Sequence, residues 1–222
     1  MANPQQGQFF GRFARIVRCV FRLFTPTYTC DFETPQEPVV YVCRHLDMHG
    51  PWTTLKWLPC QVHPMILHVF FKRETVIEHM TQYTLSRRYG RKPRRFSLLA
   101  HIMSHITPAI MQSMQAIPVY REGIQVTATF REGLKYLCRG ESLILFPDRN
   151  YRDGYEKPGE IYDGFLYLGQ LYYRKTGKQL QFIPLMIDDA RRCIHAGEPV
   201  TVTDFRTQRE TAAQRLRKDI NQ

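Results

Sequence analysis

Residues 39–51 read VVYVCRHLDMHGP, an apolar run followed directly by a polar turn. The run Val39–Cys43 is rich in β-branched residues, a pattern that predicts a strand buried on both faces. Gly50-Pro51 predicts the start of a helix, because proline is well tolerated in a first helical turn. The turn between them carries two histidines and an aspartate, at a point where α/β folds commonly place reactive groups.

Strand and helix patterns alternate along the rest of the chain. Short apolar runs bounded by Gly, Pro or charged residues predict strands at 65–71, 117–120, 142–146, 180–187 and 200–202. Helical periodicity predicts helices at 96–114 (interrupted at Thr107-Pro108), 124–138, 164–175 and 207–220. This alternation predicts an α/β fold, a single-domain layered sheet flanked by helices.

Three later segments also join a short apolar run to a turn or a proline. They read IPVYRE at 117–122, FPD at 146–148 and FIPL at 182–185. In order and spacing, these and the first segment resemble the four sequence blocks of the glycerolipid acyltransferases, the lysophosphatidic acid acyltransferase-like family. The resemblance runs from about residue 39 to the end. It implies transfer of a fatty acyl group from acyl-CoA or acyl carrier protein to a hydroxyl of a glycerol-phosphate-type acceptor in phospholipid synthesis, with no other cofactor.

His45 matches the histidine of the family's first block, His-x₄-Asp, and the resemblance implies that it is the general base. A base must remove the hydroxyl proton during acyl transfer, and a carboxylate usually orients the histidine. Gly50 stands where the family has that Asp, so Asp47 and His49 are candidate replacements. His49 is also a candidate base. A metal bound by His45, Asp47 and His49 is an alternative that the sequence favours less, since no further ligand segment completes it.

The other blocks indicate how a phosphate would be held. Arg121 matches the arginine that the family associates with the glycerol phosphate headgroup, and its planar guanidinium suits that anion. In the third block Asp148 replaces the family's Glu, and Arg149 and Arg152 offer cations from shifted positions. Gly164 matches a glycine that follows this block. These five residues are the predicted substrate-binding residues.

Residues 8–24 read QFFGRFARIVRCVFRLF and predict a helix with phenylalanines on one face and arginines on the other. This pattern is typical of helices that lie in an anionic membrane interface, although packing on the protein's own domain is an alternative. We therefore expect residues 1–38 to form an amphipathic membrane-interface helix and linker, and residues 39–222 to form the acyltransferase-like domain.

Composition narrows the cellular setting. The 222 residues carry a net charge of +11, which favours partners that are anionic. Six scattered cysteines indicate a reduced compartment, so we expect a peripheral protein on the cytoplasmic side of a membrane. A basic segment at 86–95 raises nucleic-acid binding, but no recognition motif accompanies it and no nucleic acid is expected. A catalytically degenerate lipid-binding homologue of the same fold is the main alternative to an enzyme.

Overall fold

A computed structural model describes residues 9–82, 97–148 and 160–221. Within these ranges the strands are β1 (Thr29–Cys30), β2 (Val39–Cys43), β3 (His63–Leu67), β4 (Ile117–Val119), β5 (Leu143–Leu145), β6 (Gln181–Asp188), β7 (Cys193–Ala196) and β8 (Val200–Thr201). The helices are α1 (Arg12–Leu23), α2 (His49–Trp57), α3 (Arg73–His79), α4 (Ser97–Ser113), α5 (Val126–Leu137), α6 (Tyr167–Thr176) and α7 (Phe205–Ile220). Strands and helices alternate through most of this order.

The described strands form one sheet, in the order β1-β7-β6-β2-β5-β3-β4, with β8 also paired to β6. Strand β2 lies near its centre and is parallel to both neighbours, β5 and β6. Strands β3 and β4 extend the parallel part, whereas β7 and β8 run antiparallel to β6. Since the parallel strands point the same way, the residues that follow β2, β5, β6 and β4 emerge at one edge of the sheet.

The two faces of the sheet bury separate cores. Val40 and Val42 of β2 pack on one face with residues of three helices: Leu137, Leu168 and Leu216. Tyr41 lies on the opposite face in a second core with Leu58, Ile144, Ile183, Leu185 and Ile194. Each fully buried aliphatic side chain contributes about 1.5–3 kcal/mol of transfer free energy. The predicted α/β sheet flanked by helices is confirmed.

Helix α4 passes through Pro108 without the predicted interruption. Ala100, Ser104 and Pro108 are all buried, and they lie four residues apart on one face of the helix. Continuous burial of this face stabilises the helix beyond the proline, even though proline removes one main-chain hydrogen bond. The prediction of a break was therefore wrong.

Two other differences concern strands. The predicted strand at 65–71 ends at Leu67, because β4 has only three residues to pair with it, and a 3₁₀ turn (His68–Phe71) follows. Strands β1 and β7 were not predicted. They are short, they pair with each other at the end of the sheet, and their sequences lack a clear alternating pattern.

The predicted N-terminal helix is present as α1, and it contacts the domain at its start, its middle and its end. At its start, the Gly11 N–H donates to Ser113 O at 2.7 Å. Arg18 donates to the main-chain oxygens of Lys56 and Leu58, and Arg22 also donates to Lys56 O. Two of the arginines on the predicted polar face are thus used to hold the helix in place. None of the helices in the described ranges has the length and apolar character needed to cross a bilayer.

Gln61 holds the segment before α1 by two hydrogen bonds, and removal of its side chain should destabilise that segment. Its Oε1 accepts hydrogen bonds from the N–H groups of Phe9 and Phe10, at 2.7 and 2.8 Å. We expect Gln61→Ala to lower the free energy of unfolding by about 1–3 kcal/mol, since two partly buried N–H donors lose their partner. Gln214→Ala, on the exposed surface of α7, is the matched control. Equal urea midpoints for the two variants would contradict this role.

Candidate active site at the carboxyl edge of the sheet

The carboxyl edge of the sheet brings most of the predicted site residues together. The turn that carries His45 and His49 follows β2, and Asp148 follows the neighbouring strand β5. Asp189 follows β6, on the other side of β2. Arg121 follows β4, two strands beyond β5. The edge therefore places two histidines between two carboxylates, with an arginine farther along.

Asp148 binds the main chain of the first block. Its Oδ2 accepts a hydrogen bond from the His45 N–H at 2.5 Å, and the Leu46 N–H also stabilises its charge. Burial nevertheless has the larger effect, so the pKa of Asp148 is raised above its usual value. The Nδ1 of His45 accepts a hydrogen bond from the Met48 N–H at 3.3 Å. These contacts indicate that Asp148 supports the turn, and its predicted role in binding substrate stays a prediction.

The turn itself has an unusual backbone. Leu46 and Met48 both have positive φ, at 40° and 78°, and Asp47 is the residue between them in a 3₁₀ turn. Left-handed conformations cost non-glycine residues roughly 1–2 kcal/mol each. Such strain tends to persist where the surrounding structure requires it, and functional sites are common among these places. The backbone geometry thus singles out this turn independently of its histidines.

Gly50 is required by the geometry of this turn. A Cβ atom at this position would lie 1.7 Å from the carbonyl oxygen of Arg44, far inside van der Waals contact. The Gly50 N–H donates to His45 O at 3.2 Å, which closes the turn against the helix start. A side chain therefore has no room at this position, and any carboxylate that orients a histidine of this turn would come from another part of the chain.

His49 has such a carboxylate. Its Nε2 lies 2.8 Å from Oδ1 of Asp189, and the Tyr28 hydroxyl donates to the same oxygen at 2.6 Å. The hydrogen bond from Tyr28 is the main reason that the pKa of Asp189 is lowered, so this carboxylate is ionised at neutral pH. The same bond raises the pKa of Tyr28 to about 12. When Nε2 donates to Asp189, Nδ1 is the basic nitrogen of His49.

Arg121 is held by an aromatic ring. Its guanidinium lies over the Tyr162 ring at 4.3 Å and donates to the Tyr162 hydroxyl at 3.2 Å. The Tyr162 N–H donates to Pro147 O at 2.8 Å, which connects Arg121 to the segment that carries Asp148. Stacking leaves the edge of a guanidinium able to bind an anion. The predicted phosphate ligand is thus fixed in orientation beside the third block.

The remaining predicted residues are less informative. Arg149 and Arg152 lie outside the described residues, as does the basic segment at 86–95. Gly164 begins a 3₁₀ turn, and nothing lies within 4 Å of where its Cβ would be, so packing does not require glycine there. The roles of these residues and of Asp47 stay predictions.

Asp189, Tyr28 and Tyr162 were not predicted from the sequence. Asp188-Asp189 ends the strand predicted at 180–187, and a carboxylate at the end of a parallel strand is a signal that could have identified Asp189. Tyr28 depends on the pairing of β1 with β7, which was itself not predicted.

Substitution of Gly50 should test how tightly the turn is packed. We expect Gly50→Ala to lower the free energy of unfolding by about 1–3 kcal/mol or more, because the new methyl group overlaps a carbonyl oxygen. Gly50→Asp, which restores the family's residue, should be at least as unstable. Gly164→Ala is the control, since the space around that Cβ is open. A Gly50→Asp variant as stable as the wild type in chemical denaturation would disprove the close approach.

Comparisons with known proteins give one structural likeness. No protein-family model matches the sequence, and no curated protein is significantly similar to it. The fold is similar to that of the 1-acyl-sn-glycerophosphate (LPA) acyltransferase PlsC from Thermotoga maritima, with a TM-score of 0.46 and 12% identity. The alignment covers 94% of this chain and 76% of that chain. At this level of identity, the similarity concerns the arrangement of the elements and not the chemistry of the site.

Proposed function

We propose that this protein is a membrane-associated O-acyltransferase that moves a fatty acyl group from a thioester donor to a glycerol-phosphate-type hydroxyl. The observation that carries the proposal is the 2.8 Å contact between Nε2 of His49 and Oδ1 of Asp189. His49 lies four residues after His45, and Asp189 follows the neighbouring strand β6. A histidine oriented by an ionised carboxylate is the base that such a transfer needs. Asp189 would orient His49 as the family's Asp orients the histidine of its motif, since position 50 has no room for a carboxylate side chain.

The reaction then assigns a task to each group. Nδ1 of His49 takes the hydroxyl proton as the acceptor oxygen forms a bond to the thioester carbonyl carbon. The carbon–sulfur bond breaks, and the thiol of coenzyme A or acyl carrier protein leaves with that proton. Asp189 stabilises the imidazolium that forms between these steps, and Tyr28 keeps Asp189 ionised and oriented.

The acceptor phosphate is proposed to bind near Arg121. Its guanidinium lies over the Tyr162 ring, and the main-chain N–H of Tyr162 donates to Pro147 O in the third block. Two parallel hydrogen bonds from guanidinium to phosphate give both affinity and orientation. Arg149 and Arg152 are proposed to add positive charge from the same block, in keeping with their positions in the sequence.

Acyl transfer can be measured with purified protein, labelled acyl-CoA and a lysophosphatidic acid acceptor. We expect His49→Ala to lower kcat by about 10²–10⁴-fold, because proton removal by a positioned base contributes that much. Asp189→Asn should lower kcat with little change in KM, since it acts through His49. Glu210→Gln on the exposed surface of α7 is the control and should leave the rate unchanged.

His45→Ala belongs in the same series, because the sequence favours His45 as the base. Loss of transfer in His45→Ala, with His49→Ala fully active, would assign the base to His45 and refute the role of the His49–Asp189 pair. Full activity in both variants would refute the proposed mechanism.

A membrane surface is proposed to cover the outer side of α1. Phe24 and Ile16 are 82% and 61% exposed, and Phe13, Val20 and Leu23 are exposed beside them. Helix α4, which contacts α1 near Ser113, also exposes apolar side chains: Leu98, Leu99, Ile102 and Ile106. Exposed Arg12 and Arg15 flank the apolar side chains of α1 and match lipid phosphates in charge. The proposed location is peripheral, on the cytoplasmic side.

Vesicle flotation tests this surface directly. We expect Ile16→Glu with Phe24→Glu to reduce binding to vesicles of anionic phospholipid at least tenfold, because two charges would enter the acyl boundary. Tyr173→Glu is the control, since it adds a charge at an exposed aromatic residue of α6, away from α1 in the sequence. Binding should also weaken as salt rises. Equal flotation of wild type and the double variant would exclude α1 as the docking surface.

One alternative is a lipid-binding homologue that does not turn lipid over, and it is favoured by Gly50 standing where the family has its Asp. In that case the wild type would bind anionic vesicles and lysophospholipid but transfer no acyl group. Transfer that depends on either histidine excludes this alternative.

A further inference from the structure

A second cluster of reactive side chains lies at the β1–β7 end of the sheet, outside the proposed site of acyl transfer. It contains Asp31, Cys193 and His195, and one ligand atom from each lies within 4.8 Å of the others. The Nδ1 of His195 is hydrogen-bonded to Oδ2 of Asp31. A thiol, an imidazole and a carboxylate at this spacing are the ligand types of zinc sites.

Strand pairing explains why these groups meet. Cys193 and His195 are two residues apart on β7, so both side chains point to the same face of the sheet. Cys30 pairs with Ile194 in the parallel ladder, which places Asp31 beside His195. Cys30 and Ile194 themselves face the opposite side, where they belong to the second core. The cluster is therefore positioned by backbone hydrogen bonds and does not depend on a flexible loop.

A neighbouring strand supplies one more carboxylate. Asp188 of β6 pairs with Cys193 in the antiparallel ladder, so its side chain lies on the same face. Its Oδ2 is 4.0 Å from Nε2 of His195. Arg191 also approaches Asp188, with Nε 3.8 Å from the same oxygen, which competes with a cation at this position. Three ligands are thus close together, and a fourth lies nearby.

The surroundings allow an ion to enter. The side chains of Asp31 and His195 are 48% and 30% exposed, and Cys193 is partly buried with a free thiol. Zinc would replace the hydrogen bond between His195 and Asp31 and would bind the deprotonated thiolate, with release of a proton. Thiolate and imidazole favour zinc over magnesium or calcium, which prefer oxygen ligands.

We propose that Asp31, Cys193 and His195 form a zinc site, with water or Asp188 as the fourth ligand. The site would connect β1, β7 and β6 at one end of the sheet. Tyr28 immediately precedes β1 and Asp189 immediately follows β6, so the ion would fix the two elements that hold His49. The proposal does not depend on acyl transfer, since an inactive lipid-binding protein would have the same three ligands.

Cobalt is the most specific probe, because thiolate coordination to Co²⁺ produces a charge-transfer band in the near ultraviolet. Reduced wild-type protein titrated with Co²⁺ should develop this band with one ion per chain, together with the visible absorption of a tetrahedral site. Added Zn²⁺ should abolish both signals and should raise the melting temperature of the wild type.

Four variants separate a built site from adventitious binding. Cys193→Ser should abolish the charge-transfer band, and His195→Gln should weaken Zn²⁺ binding at least tenfold. His105→Gln tests a competing surface pair, since the His101 and His105 rings are 5.3 Å apart on α4, and it should leave the cobalt spectrum unchanged. Cys138→Ser, at an exposed thiol, is the matched cysteine control.

Three results would overturn the proposal. If the wild type shows no cobalt–thiolate band, the cluster is only an ion pair beside a thiol. The same conclusion follows if the band survives Cys193→Ser or disappears in His105→Gln. Circular dichroism of each variant without metal checks that the fold is intact.

Discussion

The parallel pairing of β2 between β5 and β6 is the constraint from which the rest of the molecule follows. All five residues of β2 are buried, and their side chains supply both cores of the sheet. A strand buried on both faces and bonded on both sides has little freedom to shift its register. The residues that follow β2, β5 and β6 are therefore held side by side, and it is here that His45, Asp148 and Asp189 meet their partners.

The strained turn after β2 depends on the rigidity of these strands. Leu46 and Met48 adopt left-handed backbone conformations, and Gly50 approaches the carbonyl of Arg44 more closely than any side chain would allow. Asp148 holds the turn through the His45 N–H, from an anchored position after β5. Buried strands on both sides can maintain a strained connection of this kind, because relaxing it would disturb the sheet. The result is a short turn with a fixed backbone, with His45 at its start and His49 at the start of α2.

The sequence predicted the longer helices and most of the longer strands well, because their periodicity is local, whereas the seven-residue helix α3 was not predicted. Val39–Cys43 was predicted with its observed bounds, and its apolar run needed no knowledge of its neighbours. The break predicted at Pro108 is absent, because burial of Ala100 and Ser104 on the same face of α4 outweighs the local signal of the proline. Strand β1 depends on pairing with β7 across more than 160 residues, so no local window contains the information that defines it. Strand β7 pairs with the neighbouring β6, but its four residues are too few to show a clear alternating pattern.

The site could be predicted from the sequence only where it depends on the parallel strands. The convergence of the first and third blocks at one edge follows from parallel strands, and the sequence indicated both blocks. The partner of His49 did not follow, because Asp189 comes from a strand end that belongs to neither block. From the motif alone, Gly50 suggested that catalysis had been lost. Its packing shows that the backbone requires glycine here, so a carboxylate partner for a histidine is to be found among the side chains around His49.

Two carboxylates at this edge then differ in a way that suits different tasks. Asp148 is partly buried, burial raises its pKa, and its oxygen binds a main-chain N–H. Asp189 is exposed, receives the Tyr28 hydroxyl, and has a lowered pKa. A carboxylate that accepts from a histidine ring stabilises the imidazolium that forms during proton transfer, and Asp189 contacts Nε2 of His49. Asp148 instead contacts the main chain of the turn. These contacts favour Asp189 as the partner of a base and Asp148 as a support for the turn.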